Sequence, residues 1–249
     1  MENHVRSQVL GSTGAPYLSS LADACGTAAN YRSIGSPSLP NYLGATSGTT
    51  SGIADDASPA SHPLTIDNVF RQVRRAGGTA VTYAESMPRT CTLDGSGRYA
   101  VKHNPAAYYT GDDDRDACNR DDRPVGSASA LLTALTTQSL PTFTMVVPDL
   151  CHDTHDCSVA TGDQWLSSWL PSFLGSDAYR GGDTVVFVVW DEPTPMPFVA
   201  VAPTIAAGAT ERAPVDHYAL LRTTEDLLGI EGHLGTAATA PSMRGALGI

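Results

Sequence analysis

Three short apolar runs stand out along the chain: Phe143–Val147, Val185–Trp190 and Phe198–Ala202. Each is short, continuous and bounded by turn residues, the pattern of a strand buried on both faces. A weaker run covers Thr79–Tyr83. Helices are predicted at Tyr17–Cys25, Ile66–Ala76, Ala128–Leu135, Gln164–Leu174 and His217–Leu228. In the last, Tyr218, Leu221, Leu227 and Leu228 roughly share one face, and Asp163 stands where it would cap the fourth. The Gly/Ser/Thr cluster Thr46–Gly52 reads as a turn, and Asp112–Asp122 as a solvated, charged loop. Strands alternating with helices predict an α/β fold with a largely parallel sheet. In such sheets ligands gather beyond the carboxyl ends of the strands.

Composition narrows the class. The 249 residues are 41% hydrophobic and 16% charged, enough for an ordinary core, and no internal repeat is present. Fifteen basic against 26 acidic residues give a formal charge of -11. That balance repels nucleic acid and anionic membranes, although a small anion remains acceptable where a cation neutralises it locally. None of the five cysteines forms a CxxC pair, which argues against structural zinc. The expected disulfides are Cys91–Cys118 and Cys151–Cys157, with Cys25 left over, as in a protein of an oxidising compartment. No run approaches the roughly 20 apolar residues of a spanning helix. The chain opens directly on Met-Glu-Asn-His without a signal peptide, so an exported protein would have been trimmed or shortened before Met1.

The strongest chemical signal follows a strand: Val185–Trp190 runs into Asp191-Glu192-Pro193. Adjacent carboxylates at a strand exit repel each other unless a cation sits between them; a solvated loop start is the ordinary alternative. A second signal, His152-Asp153-Thr154-His155-Asp156, lies between Cys151 and Cys157 and follows the strand Phe143–Val147. A disulfide there would hold the histidines rigidly, ready to stabilise charge on a phosphoryl or acyl oxygen, or merely staple a polar loop. Ser36-Pro37-Ser38-Leu39-Pro40-Asn41-Tyr42 reads by itself as a proline-punctuated turn. No G-x-S-x-G elbow or Walker A loop occurs in the chain. His103 is a lone histidine in a polar loop, and His4, His62, His217 and His233 carry no companion motif.

Taken in order, these segments resemble the bacterial phosphoesterase family of acid phosphatases and non-specific phospholipases C, a branch of the alkaline-phosphatase superfamily. The resemblance rests on Glu2-Asn3-His4, Pro37–Tyr42 with Ser47-Gly48, and Tyr83–Pro88. It continues through Lys102–Pro105, His155-Asp156 with Gly162–Leu166, Trp190–Glu192, and His217-Tyr218 through Arg222-Thr223. The chain departs from the family at His4-Val5-Arg6, where E-N-H is usually followed by Ser and an aromatic residue. The apolar strand that precedes that motif in the family has no counterpart before Glu2.

The resemblance implies a single domain over residues 1–249, folded as a three-layer α/β sandwich with a mostly parallel central sheet. It implies one divalent metal ion held by Glu2, Asn3, Asp191 and Glu192, with the nucleophile hydroxyl as a further ligand. Oxygen ligands favour Ca²⁺, Mg²⁺ or Mn²⁺ over iron or zinc. Ser38 is the expected nucleophile, with Ser36 in reserve. His103 and His155 are expected to contact the phosphoryl oxygens, and Asn41 to bind substrate. The implied activity is that of a secreted or periplasmic acid phosphatase acting on phosphomonoesters through a phosphoserine. The alternatives are a phospholipase C-type phosphodiesterase, which would take a phospholipid headgroup, and a non-catalytic cation-binding domain.

Overall fold

The computed structural model describes residues 1–137, 139–181 and 183–249. Its strands are β1 (Gly26–Ala28), β2 (Tyr31–Arg32), β3 (Ala80–Glu85), β4 (Asp122–Val125), β5 (Phe143–Val147), β6 (Val186–Val189), β7 (Phe198–Val201), β8 (Ala209–Glu211) and β9 (Val215–Asp216). The helices are α1 (Arg6–Val9), α2 (Pro16–Ala24), α3 (Ser38–Ser47), α4 (Val69–Arg75), α5 (Asp114–Asp121), α6 (Ala128–Thr136), α7 (Val159–Leu174), α8 (Asp177–Arg180), α9 (His217–Leu227) and α10 (Arg244–Leu247). The apolar runs therefore became strands, and the weakest of them, β3, extends to Glu85.

β3 shows how the layers form. Side chains alternate across a strand; Val81 and Tyr83 enter one core, while Ala80 and Ala84 enter the other. The first core takes Leu18 and Leu21 of α2, Leu131 of α6, and Trp165, Trp169 and Phe173 of α7. The second takes Leu39 and Leu43 of α3, Val69, Phe70 and Val73 of α4, and Leu221 of α9. Helices on both faces give the three-layer α/β sandwich. Among the described residues, no helix is long and apolar enough to cross a membrane.

The expected parallel sheet is realised in part. β4-β3-β5 is parallel throughout, whereas β6-β7-β1-β8 is mixed, with β7 antiparallel to both β6 and β1. The connection from Val189 to Phe198 is too short for the crossover that parallel pairing needs. Met1 lies along the edge of β6: its amino group donates to Val189 O at 3.1 Å, and Asp191 N donates to Met1 O at 3.1 Å. This contact delivers Glu2 to the carboxyl end of the sheet.

Several local readings change. α7 begins at Val159, with the Ser158 hydroxyl accepting from Thr161 N. Asp163 therefore lies inside the helix and turns inward, where its carboxylate accepts from Tyr17 N and Leu18 N and caps α2 instead. The charged segment Asp112–Asp122 is mostly helix α5, because Asp114 is buried against Arg71 and Arg74 of α4. The turn-like stretch around Ser38 is helix α3, which takes in Thr46 and Ser47 and ends at Gly48 (φ 72°). A Cβ at Gly48 would lie 2.1 Å from Leu234 O, so glycine is required there by space as well as by φ. Both expected disulfides are present, and Cys25 is free.

Candidate active site

α3 begins where Pro37, in extended conformation, turns into Ser38. Asn41 makes that entry rigid: its Oδ1 accepts from Ile34 N and Gly35 N, and its Nδ2 donates to Gly35 O. Ser38 is buried at the first position of the helix, and its hydroxyl donates to Glu2 Oε2 at 3.1 Å. Tyr42 lies one turn later on the same face, as the i, i+4 spacing requires, and donates to Glu2 Oε1.

Glu2 is fully buried. Its amide donates to Asp153 O at 2.7 Å, and its carbonyl accepts from Thr154 Oγ1 at 2.8 Å. Burial, followed by the nearby Asp191 charge, pushes the Glu2 carboxyl well above its usual range. Asp191 is 4% exposed, and among the described residues neither carboxylate oxygen has a hydrogen-bond partner. Its backbone, in contrast, is fixed at both ends. Asp191 N donates to Met1 O, while Asp191 O receives His217 Nε2 at 2.8 Å. A carbonyl only accepts, so His217 carries its proton on Nε2 and Nδ1 accepts from Tyr31 OH at 2.9 Å. Burial holds the His217 pKa down, consistent with that neutral tautomer. Glu192 is half-buried, and burial raises its carboxyl while a Ser36 hydrogen bond opposes the rise.

His103 is buried between two carboxylates, with Nδ1 3.1 Å from Asp153 Oδ2 and Nε2 3.4 Å from Glu2 Oε1. Its ring stacks on Tyr42, with centroids 5.3 Å apart, and lies 5.9 Å from the ring of His155. Burial depresses the His103 pKa, and Asp153 opposes that effect. His155 is half-buried, and its Nδ1 lies 2.7 Å from Asp156 Oδ1.

The loop carrying Asp153 and His155 is clamped from below. Asp149 accepts from the amides of Cys151 and His152. Glu85, at the end of β3, accepts from Asp149 N and Trp165 Nε1 and lies 2.8 Å from His152 Nδ1. The Cys151–Cys157 disulfide closes the same loop.

This donor set fits a divalent cation. Glu2, His103 and Asp153 each place a ligand atom within 4.8 Å of the others. The orphaned Asp191 oxygens add charge that the protein does not neutralise, and unpaired buried charge is costly. Two other clusters are already committed: Cys91 and Cys118, beside Asp122, form a disulfide, and Glu85–Asp149–His152 are bonded to one another.

The structure thus brings together Glu2, Ser38, His103, Asp191 and, at the margin, His155 and Glu192. Two expected residues stand apart. Asn41 is not free for substrate, because its carboxamide is used on the loop before Ser38. Asn3 is exposed, with φ at 59°. Sequence reasoning gave no role to Tyr42, Asp153, Glu85 or His217. Tyr42 carried a usable signal in its spacing of four from Ser38; the other three depend on contacts across the fold.

Comparisons with known proteins bear on the family and the fold. A family model described as the Phosphoesterase family matches residues 6–195. A phosphatidylinositol-3-phosphatase of Mycobacterium tuberculosis is 28% identical over 246 residues, covering 96% of this chain and 78% of that protein. A phosphate-repressible acid phosphatase of Penicillium chrysogenum is 28% identical over 183 residues, covering 70% of this chain and 43% of its own length. A probable acid phosphatase of Kluyveromyces lactis is 25% identical, covering 91% and 57%. The chain therefore spans only about half the length of these two fungal relatives. Among solved structures, a protein in the alkaline phosphatase superfamily from Vibrio parahaemolyticus shares the fold with a TM-score of 0.64 at 14% identity. That alignment covers 99% of this chain and 70% of the other. The chain belongs to the Phosphoesterase family and is a phosphoric ester hydrolase.

Proposed function

We propose that the chain hydrolyses phosphomonoesters through a phosphoserine formed at Ser38, in a secreted or periplasmic setting. The observation that carries the reading is the buried Ser38 hydroxyl on Glu2 Oε2, beside an Asp191 carboxylate with no partner. Glu2, Asp191 and Glu192 would hold one divalent ion, with His103 and Asp153 as the alternative partners of Glu2. Such an ion supplies Lewis-acid charge and lowers the pKa of a coordinated hydroxyl.

The remaining work falls to the chain's own groups. Glu2 orients the Ser38 hydroxyl, and Tyr42 and His103 hold Glu2 in place. Ser38 Oγ gives its proton to Glu2 Oε2 and forms the new bond to phosphorus as the ester oxygen leaves in line. In this reading His155, the more accessible histidine, protonates that oxygen. Water then opens the phosphoserine and releases inorganic phosphate. The two disulfides support an oxidising, external compartment.

Monoesters are favoured over diesters because the M. tuberculosis relative is named for removing a phosphate, not for cleaving a diester. A panel of phosphomonoesters and phosphodiesters, assayed with and without divalent ions, tests the reading. Release of inorganic phosphate supports it. Release of phosphorylated headgroups alone would assign a phospholipase C, and binding of metal without turnover would assign a non-catalytic domain.

A further inference from the structure

The chain contains a single lysine, Lys102, and it stands beside the acidic site. Lys102 occupies the short turn Val101–His103, next to the histidine that contacts Glu2. Its ammonium lies 2.9 Å from Asp56 Oδ2. The other oxygen of Asp56 accepts from Leu39 N at 2.9 Å. Leu39 directly follows Ser38 at the start of α3, where free amides and the helix dipole favour an anion. A carboxylate of the loop before α4 therefore sits on the amide next to the nucleophile, bridged to the only lysine.

Three further acids act on this pair: Glu2 and Asp191 on Lys102, and Glu192 on both. Burial alone would lower the Lys102 pKa, but Asp56, Glu2 and Asp191 outweigh it and raise it, which places the ammonium within reach of the site's field. Glu192 feels both Asp56 and Lys102. Lys102 and Asp56 are each about a quarter exposed (23% and 25%), so solvent and ligand reach them. The fixed end of this arrangement is Asp56: Tyr108 OH donates to the neighbouring Ala57 carbonyl, and Leu39 N anchors the carboxylate.

We propose that Lys102 is a substrate-binding residue that takes the non-reacting phosphoryl oxygens, and that Asp56 holds it in readiness as an internal stand-in for phosphate. A phosphoester approaching Ser38 brings oxygens to the region where Leu39 N and Lys102 already hold a carboxylate. The ammonium turns from Asp56 to the phosphoryl group, exchanging one charge-assisted bond for another. A monoester dianion carries one more negative charge than a diester, so the lysine favours monoesters. This inference rests on the phosphomonoesterase reading and adds the residue that selects the substrate's charge.

A binding test separates the two ideas. Pyridoxal 5′-phosphate condenses its aldehyde with a lysine amine, losing water, and borohydride reduces the imine to a stable secondary amine. Peptide mapping of the Ser38→Ala protein reads the label at Lys102 without any turnover. Labelling at least about tenfold faster than with phosphate-free pyridoxal, and suppressed by inorganic phosphate, is expected for a charge-selective site. Equal labelling by both aldehydes, or no protection by phosphate, overturns the proposal.

Kinetics supply the second arm. Lys102→Gln should lower kcat/KM for p-nitrophenyl phosphate about tenfold more than for methyl p-nitrophenyl phosphate, with Lys102→Arg restoring part of the difference. Asp56→Asn retains an acceptor for Leu39 N and should lower KM for the monoester, since the lysine is released. Parallel losses on both esters would overturn the role of Lys102. Absence of monoester hydrolysis in the unaltered protein would overturn the proposed function instead, while the labelling result still judges the lysine.

Discussion

The Ser38 hydroxyl donates to Glu2 Oε2 across 36 positions of sequence, and both groups are buried. A buried carboxylate that accepts from the proposed nucleophile aims its oxygen and leaves it no freedom to face water. Replacement of Ser38 by alanine should therefore reduce hydrolysis of p-nitrophenyl phosphate by on the order of 10³ or more, with the thermal melt retained. Ser36 is exposed and bonds to Glu192, so Ser36→Ala should stay within about tenfold of the unaltered protein. The reverse ranking would move the nucleophile to Ser36.

Asp191 predicts a two-signed effect. Its oxygens have no partner, and it raises the Glu2 carboxyl, so repulsion is stored at the site until a cation arrives. Chelation with EDTA should abolish activity, and divalent ions should restore it. Calcium, magnesium or manganese at about 100 times its Kd should stabilise the chelated protein by about 2.7 kcal/mol. Asp191→Asn should raise the melting temperature of the chelated protein yet remove both the activity and the metal-induced rise. Scanning fluorimetry with and without ion decides this, and an unchanged metal response in the variant would exclude Asp191 as a ligand.

Glu85 accepts from Asp149 N and Trp165 Nε1 and pairs with His152 beneath the loop carrying Asp153 and His155. Glu85→Gln places an amide donor against groups that already donate. The expected cost is about 1–3 kcal/mol of stability. A drop in kcat larger than any rise in KM should accompany it, because His155 and Asp153 lose their support. Urea melts and steady-state kinetics on the same preparation check both, and a pure KM effect would count against a positioning role.

Asp122 governs a pH dependence. Burial lifts its carboxyl to about 7, against the opposing hydrogen bonds from Asn104 Nδ2. Because the folded-state value is raised, the associated stability is fully present below the unfolded value near 4. It is lost as pH rises through about 7. The melting temperature of the unaltered protein should fall relative to that of Asp122→Asn between about pH 4 and 7. Parallel melting curves for the two proteins across that range would show that Asp122 titrates normally.

The sequence by itself determined strands β3, β5, β6 and β7, though not the short β1, β2, β4, β8 and β9, and the point at which chemistry leaves them. Phe143–Val147 is a strand with the predicted bounds, its Phe143 and Met145 packing against one core and Val146 against the other, and Asp191-Glu192 does stand at the exit of β6. The motif order was enough to name the family, and cysteine placement was enough to anticipate both disulfides.

Only the tertiary structure decided who meets whom. Helix α3 was hidden by two prolines and a glycine, and it forms because Leu39 and Leu43 pack into a core shared with Leu221 of α9. Asp163 was a plausible cap for its own helix, but the longer α7 turned it toward the amides of α2. Asn41 was read as a ligand of substrate and instead holds the loop before Ser38. Tyr31, His217 and Asp191 form a relay spanning 186 positions at its widest, which no local pattern contains. Local sequence sets which groups are polar and which segments are buried. A buried carboxylate takes its partner from whichever donor the packed chain brings within about 3 Å, and that choice is made over long range.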